Sequence, residues 1–419
     1  MLKVNKTYQG KVISLDYKAD GIVKLNNKYI YVKGALKDEV INFKITKLNK
    51  RFGFAKLINI VEKSPDRIGP LNELGSLNLS HLSFKEQLNF KRTITKETFE
   101  KVLNNKINVL ETITDNKETN YRNKVVYHVL NNDEITLGLY SNDNKKLIKI
   151  NNFLLANENS NKILEIINNS KIIIDYKLLK HVSIKNNSKN ELLVTLISKS
   201  KTFKGLDNLV SLIKSYKFVK GITLNINTDD NKILGEESIL LYGKEYLLEN
   251  DLLITDQSFM QINYGVMNLT FNLIKENVLG DKIVDLYSGI GSIILNVLND
   301  NYGVMVENNI ENIKLANKII NNKNIKNLKV IHANSEDVFN ELTGDTLIVD
   351  PPRNGLYKEL VNNISKSNFK RFIYLSCNLQ TLIRDIKLLE NSYKVIKVYP
   401  IMMFPMTNSF ETLVILDKI

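Results

Sequence analysis

Ile283-Val284-Asp285-Leu286-Tyr287-Ser288-Gly289-Ile290-Gly291-Ser292 reads as an apolar strand that runs into a glycine turn and then a helix over Ile293–Leu298. Glycines permit a tight turn and close approach of the backbone to a ligand. A Gly-x-Gly pair alone fits many nucleotide sites. The next apolar run, Gly303–Glu307, adds weight because it ends on an acid 18 residues after Gly289. An acid there can accept hydrogen bonds from ribose hydroxyls. The chain has no Gly-x-x-x-x-Gly-Lys-Ser/Thr run, which disfavours use of a nucleoside triphosphate. Working outward, Lys282–Leu286, Gly303–Glu307, Lys329–His332, Thr346–Val349 and Arg371–Ser376 are strand-like and alternate with helical stretches. The expectation is an α/β domain over residues 255–419, with a mainly parallel open sheet covered by helices on both faces.

Three groups fall where such sheets bind ligands. Asp350-Pro351-Pro352-Arg353 ends the strand Leu347-Ile348-Val349, and the paired prolines fix the loop, so Asp350 is expected at the carboxyl edge. Cys377, in Leu375-Ser376-Cys377-Asn378, follows the next strand, 27 residues after Asp350. It is the only cysteine, so it cannot form an intrachain disulfide or a multi-cysteine metal site. A lone free thiol is ordinarily an inert buried group. Placed beyond a strand end and before a helix over Thr381–Leu389, it is expected instead to have a lowered pKa and to act as a nucleophile. Glu411 stands 34 residues further on, entering the last apolar strand, Thr412–Leu416, from a loop.

Upstream the pattern differs. Residues 1–62 show short apolar runs between turn signals such as Asp20-Gly21 and Asn26-Asn27, which predicts an OB-like β-barrel of five strands. Lys44, Lys47, Lys50, Arg51 and Lys56 lie among Phe43, Phe52 and Phe54, a mixture suited to phosphate contact and base stacking as well as to an ordinary charged edge. Residues 63–254 read as a linker and a central α+β domain, expected to bind RNA. A helix over 84–104 is expected to bury Leu88, Ile94, Phe99 and Val102, the part near 84–112 packing on the domain over 255–419. The net charge of +13 favours a polyanionic partner, although the lysine- and asparagine-rich composition accounts for part of it. No run of about 18 apolar residues and no secretory h-region is visible, and with one cysteine this points to a cytoplasmic monomer without a membrane partner.

Taken together, these motifs resemble the S-adenosylmethionine-dependent RNA uridine-C5 methyltransferases over nearly the whole chain. Residues 1–62 look like that family's TRAM barrel. Ser64-Pro65-x-Arg67-Ile68-x-Pro70, Tyr121-Arg122-Asn123-Lys124, Phe259-Met260-Gln261-Ile262-Asn263, the glycine turn, Asp350-Pro351-Pro352-Arg353, Ser376-Cys377-Asn378 and Phe404-Pro405-x-Thr407 through Glu411 follow in the family's order. The resemblance implies a Rossmann-like class I methyltransferase domain, Cys377 as nucleophile and Glu411 as general base. Gln261, Tyr287, Glu307, Asn334 and Asp350 would line the S-adenosylmethionine site. Many members hold an iron–sulfur cluster on four cysteines. Here the corresponding stretch, Pro70 to His81, has none, so no Fe–S cluster and no metal site is expected. Leu379, Ser409 and Ser288 depart from the residues usual in the family at their positions.

The chemistry implied is addition of the thiolate to uracil C6, methylation at C5, and removal of the C5 proton by a carboxylate. The resemblance points to 23S ribosomal RNA, because members carrying the barrel act more often on rRNA, with a tRNA T-loop uridine as the alternative. Two other readings stand beside it. One is an exocyclic-nitrogen methyltransferase, which also uses an Asp/Asn-Pro-Pro loop but with an aromatic where Arg353 stands. The other is a non-catalytic RNA-binding or ribosome-assembly protein that keeps the fold.

Overall fold

The computed structural model describes residues 2–419. Strands β1 (Thr7–Leu15), β2 (Gly21–Leu25), β3 (Lys28–Lys33), β4 (Val40–Leu48) and β5 (Phe52–Glu62) close into a barrel in the order β1-β2-β3-β5-β4. The β2–β3 turn is Asn26-Asn27, both at positive φ, the conformation a tight hairpin demands and asparagine tolerates. Alternation sorts the aromatics. Phe43 is fully buried in the barrel core, whereas Phe52 and Phe54 on β5 face outward, 38% and 42% exposed. They cluster there with Tyr31, at ring-centroid separations of 5.7–6.3 Å.

The linker is fastened to the barrel by Arg67, whose guanidinium pairs with the fully buried Glu39 and also donates to Gly34 O at 2.6 Å. In the cysteine-free stretch that follows, Leu77, Leu79 and Leu82 are buried, so apolar packing fills this segment. Ser83 caps α1 (Phe84–Leu103) by accepting from Glu86 N–H. The helix has the expected extent but buries a different face. Gln87, Lys91, Thr95 and Phe99 form the inward i, i+4 stripe, while Leu88, Ile94 and Val102 are half-buried. Helix α1 packs on the C-terminal domain, and residues beyond it extend that domain's sheet, Val109 and Ile113 bridging in parallel to Val398 and Ile401.

The central region holds β6 (Lys124–Val129), β7 (Leu137–Tyr140), β8 (Leu147–Lys149), α2 (Glu158–Asn169), β9 (Leu179–Asn186), β10 (Leu192–Ser198), α3 (Leu206–Lys214), β11 (Val219–Ile226) and β12 (Glu237–Gly243). Its seven strands are ordered β12-β11-β10-β9-β6-β7-β8. One face buries Val125, Tyr127, Val182, Ile184, Val194 and Leu196 with apolar residues of α2 and α3. A hairpin of β13 (Leu247–Glu249) and β14 (Leu252–Ile254) leads to α4 (Tyr264–Glu276).

The C-terminal domain comprises β15 (Lys282–Leu286), α5 (Ile294–Val297), β16 (Tyr302–Glu307), α6 (Ile310–Lys323), β17 (Leu328–His332), α7 (Ser335–Val338), β18 (Thr346–Val349), α8 (Lys358–Lys366), β19 (Arg371–Ser376), α9 (Leu379–Leu389), β20 (Tyr393–Ile401) and β21 (Glu411–Lys418). The sheet order is β17-β16-β15-β18-β19-β21-β20, parallel except for β21, which runs antiparallel to both neighbours. The middles of β15, β18 and β19 are mostly apolar because both faces of the sheet are covered, with Asp285 a buried exception. Their carboxyl ends deliver Tyr287, Asp350 and Cys377 to one edge. The antiparallel return brings the first residue of β21, Glu411, to that same edge. No helix among the described residues is long and apolar enough to cross a membrane.

Candidate active site

A cleft of about 760 Å³ opens at this edge. It brings together Gln261, Tyr287, Asp350, Cys377 and Glu411, five of the seven residues expected to form the site. The turn after β15 makes the floor. Tyr287 takes a left-handed φ of 57°, unfavourable for an aromatic residue and the kind of strain that clusters at binding sites. Its hydroxyl donates to Glu336. Gly289 has φ 58°, and nothing lies within 4 Å of where a Cβ would sit, so bare backbone faces the cleft.

Glu307 lies beneath this turn and is absent from the cleft lining. Its carboxylate accepts from Gly289 N–H at 2.9 Å and Asn309 N–H at 2.7 Å, so its visible work is to hold the glycine turn. Asn334 also lies outside the lining, exposed, donating to Asp337 at 2.8 Å and accepting from Asn308 at 3.2 Å.

Asp350 accepts from Gln261 Nε2 at 3.2 Å, and Gln261 is in turn fixed by Asn123, which donates to its carbonyl at 2.7 Å. Burial pushes the Asp350 carboxyl up to about 7, the Gln261 hydrogen bond opposing. Glu411 is buried with Oε2 lacking a partner among the described residues. Burial, then the charge of Asp350, raises its carboxyl well above the usual range, against Arg353. Asp285, one strand position deeper, is fully buried with both oxygens unpartnered among the described residues. Three carboxyl groups thus crowd one edge, and Arg353 and Lys124 are the cations that line the cleft.

Cys377 sits between β19 and α9, half-buried, one residue before the helix cap. Asn378 caps α9, its Oδ1 accepting from Gln380 N–H at 3.1 Å, and its Nδ2 donates to Arg353 O at 3.0 Å. The cysteine turn and the Asp-Pro-Pro-Arg loop are therefore tied together. The expected lowering of the thiol pKa does not hold. Burial, then the carboxylates of Glu411 and Asp350, push Cys377 up to about 11, and Arg353 pulls the other way. The helix end is outweighed first by burial of the thiol and then by the two acids in its cleft.

Four contributors were not singled out from the sequence. Arg353 was legible only as the end of a proline motif, yet it is the cation beside both Cys377 and Glu411. Lys124 and Asn123 reach the site from the start of β6, and the sequence marked them only as part of the Tyr121-Arg122-Asn123-Lys124 motif, without a place in the site. Phe259, 67% exposed on the cleft wall, is a large apolar surface next to Gln261.

The cleft suits S-adenosylmethionine. Its volume lies in the range of small-molecule sites. It has a bare backbone turn, apolar walls from Met260, Ile262, Phe271, Ile293 and Phe404, and an unpartnered carboxyl oxygen on Glu411 that favours a cationic ligand. Asp350, Gln261 and the Tyr287–Gly289 turn are the groups that would hold it.

Known proteins resemble this chain in sequence and in fold. A protein of Clostridium tetani described as an uncharacterized RNA methyltransferase is 30% identical, over 99% of this chain and 97% of its own. One of Staphylococcus epidermidis, described likewise, is 31% identical over 98% and 97%. The crystal structure of Pyrococcus abyssi tRNA (uracil-54, C5)-methyltransferase in complex with S-adenosyl-L-homocysteine shares the fold. It has a TM-score of 0.79 and 24% identity, over 98% of this chain and all of that one. A family profile described as tRNA (Uracil-5-)-methyltransferase matches residues 83–419, the greater part of the chain. The chain therefore belongs to the tRNA (uracil-5-)-methyltransferase family, enzymes that methylate RNA with S-adenosylmethionine as donor.

Proposed function

We propose that this enzyme methylates C5 of a uridine in 23S ribosomal RNA through a covalent adduct between Cys377 and uracil C6, with Glu411 as base. The observation that carries the reading is that the chain's one thiol and a buried carboxylate wall the same cleft as the glycine turn. Uracil C5 is a weak nucleophile. Addition of the Cys377 sulfur to C6 forms a C–S bond and moves electron density to C5. The donor, when bound, supplies an electrophilic methyl group. Glu411 then takes the C5 proton, the electron pair restores the C5–C6 double bond, and the C6–S bond breaks to free the thiolate. Arg353 favours the thiolate at the start, and a positively charged donor in the cleft acts in the same direction. The raised pKa of Glu411 makes it a stronger base once ionised. Asp350, Gln261 and Tyr287 orient the donor, with Glu307 holding the turn beneath it. Asn334, outside the cleft lining, is kept as a further donor contact on the resemblance alone.

The barrel supports the choice of target. Its exposed Tyr31, Phe52 and Phe54 are flanked on β4 and β5 by Lys44, Lys47 and Lys56, a surface suited to a single strand of RNA. A tRNA T-loop uridine is the second reading, favoured by the family's description and by what the archaeal neighbour is named for.

Cys377→Ala should abolish methyl transfer from labelled S-adenosylmethionine to RNA. Glu411→Gln should accumulate a protein–RNA adduct stable to denaturing electrophoresis. Full activity of the Cys377→Ala chain, or methyl found on an exocyclic nitrogen, would sink the mechanism. Mapping 5-methyluridine in rRNA and tRNA from cells with and without the gene separates the two targets.

A further inference from the structure

The face of the central sheet opposite its helices carries a row of rings at one end. His181 on β9 stands across from His128 on β6, His128 across from Gly138 on β7, and Gly138 across from Lys149 on β8. The His128 ring meets His181 at 4.7 Å and Tyr140 at 4.6 Å, both edge to face. Tyr140 is 42% exposed, and Lys149 is exposed. Gly138 is buried, with the Ile148 carbonyl and the Leu130 side chain packed where a Cβ would sit, so Tyr140 and Lys149 are the exposed members of this group. This end of the sheet lies outside the central apolar core, although His181 keeps a buried Nδ1 with no hydrogen-bond partner among the described residues.

The same strand leads to the active site. Lys124, which lines the cleft, stands four residues before His128, and in a strand both point to one face. The separation is about 13 Å, four steps of ~3.3 Å. That exceeds the ~3.4 Å spacing of one stacked base and fits a nearby nucleotide of the same strand.

We propose that Tyr140, His128 and His181 form a stacking platform for a nucleotide flanking the target uridine, with Lys149 meeting its phosphate. The proposal rests on the uridine-C5 reading of the cleft and adds where the neighbouring RNA lies. The occupant is RNA rather than protein for two reasons. The group shares strand β6 with Lys124 of the cleft of an RNA methyltransferase, and it combines rings with an exposed lysine in a chain of net charge +13. Burial holds both imidazoles below their ordinary pKa, His181 at about 4 with His128 and Lys180 contributing, so at neutral pH the rings are uncharged and offer π surface.

The test uses the full chain and a fluorescein-labelled RNA decamer with one central uridine among adenosines, read by anisotropy. Tyr140→Ala should weaken binding about tenfold, and His128→Ala comparably, while Tyr140→Phe binds as the wild type does. Abasic residues are then placed at each of the two positions on either side of the uridine. One of these sites should lose affinity with the wild type but not with Tyr140→Ala, because the missing base and the missing ring are the same contact. Strictly additive losses at every position, or a Tyr140→Ala chain that binds the intact decamer normally, overturn the proposal. Neither result touches the uridine-C5 reading, which stands or falls on the adduct at Cys377.

Discussion

Arg67→Met should detach the barrel from the rest of the enzyme. Arg67 and Glu39 are 5% and 0% exposed, and the pair is enclosed by backbone. The guanidinium meets Glu39 through Nε and through Nη2 at 2.9 Å, Gly34 O at 2.6 Å and Gly69 O at 3.1 Å, while Glu39 also accepts from Leu36 N–H at 2.8 Å. Methionine keeps most of the packing but leaves a buried carboxylate with one backbone donor. Breaking a buried pair this way costs about 3–5 kcal/mol, whereas replacing both partners by apolar groups is often nearly neutral. A 60-residue barrel has little stability in reserve, so the loss should expose it as a separate early unfolding transition. The chain has no tryptophan, so urea unfolding is best followed by far-UV circular dichroism, with limited proteolysis locating the early step in residues 1–70. Glu39→Leu/Arg67→Met should recover most of the cost. His81 supplies an internal control. Burial and Arg67 push it down to about 4, against Glu39. Without Arg67 it can protonate and partner Glu39, so the penalty should shrink between pH 7 and pH 5. A cost below about 1 kcal/mol, or a double variant as unstable as the sum of the singles, refutes the reasoning.

Three further outcomes follow. Gln87→Met removes the acceptor for Met406 N–H at 2.8 Å and the donor to Leu82 O at 2.9 Å; it should cost about 2–4 kcal/mol by thermal unfolding and lower kcat more than it raises KM, an unchanged kcat counting against a role for α1 in placing the base loop. Asp350 is raised from 3.8 to about 7, so the folded state holds its proton more tightly than the unfolded chain and stability falls as pH rises through that window; Asp350→Asn should flatten the decline and be stabilising at pH 8 by no more than about 4 kcal/mol, less for the solvent access at the cleft, and equal Tm slopes from pH 4 to 8 would contradict this. Phe54→Ala, on an exposed ring, should leave Tm unchanged while weakening single-stranded RNA binding about 5- to 50-fold, and an unaltered affinity would assign that aromatic cluster to another purpose.

The parallel sheet was legible because burial on both faces leaves nearly unbroken apolar runs, such as Leu347-Ile348-Val349 and Phe372-Ile373-Tyr374-Leu375. The β20 strand escaped notice because Lys394 and Lys397 interrupt its apolar pattern. In β9, His181, Ser183 and Lys185 look like a solvent face, yet Lys185 is buried and donates to three carbonyls, Thr255, Asp256 and Ser258, at 2.6–2.8 Å. The face of α1 was misjudged for the same reason, since Gln87 and Lys91 are inside to serve carbonyls and amides rather than to fill volume. Hydropathy periodicity assumes that buried means apolar, and it fails where a polar side chain is the partner of a loop. The site residues were legible as types at strand ends. Their protonation was not, because the rise at Cys377 comes from burial and from acids far away in sequence.

Those loop partners change how the base should be understood. Glu411 follows a loop that is fixed from four other parts of the chain. Asn408 donates to Lys18 O in the barrel and exchanges hydrogen bonds with Asn78 of the linker. Leu79 N–H donates to Met406 O, Gln87 and Lys91 of α1 hold Met406 and Phe404, and Tyr121 donates to Pro405 O at 3.0 Å. Met406 is held at a φ of 64°, a left-handed conformation that a non-glycine residue keeps only when its surroundings over-determine it. The side-chain nitrogen of Lys91 is an extreme member of the set. Burial lowers its pKa well below the ordinary value, no carboxylate pairs with it among the described residues, and it donates to Phe404 O at 3.1 Å and contacts the Met402 sulfur. A buried lysine without a counter-ion costs stability. Its place here is therefore explained by position rather than stability: it fixes the carbonyl at the start of the loop that delivers the carboxylate. With Glu411 as the proposed base, the barrel, linker and α1 set where that base stands, and loss of any one of them should act on the chemical step as well as on RNA binding.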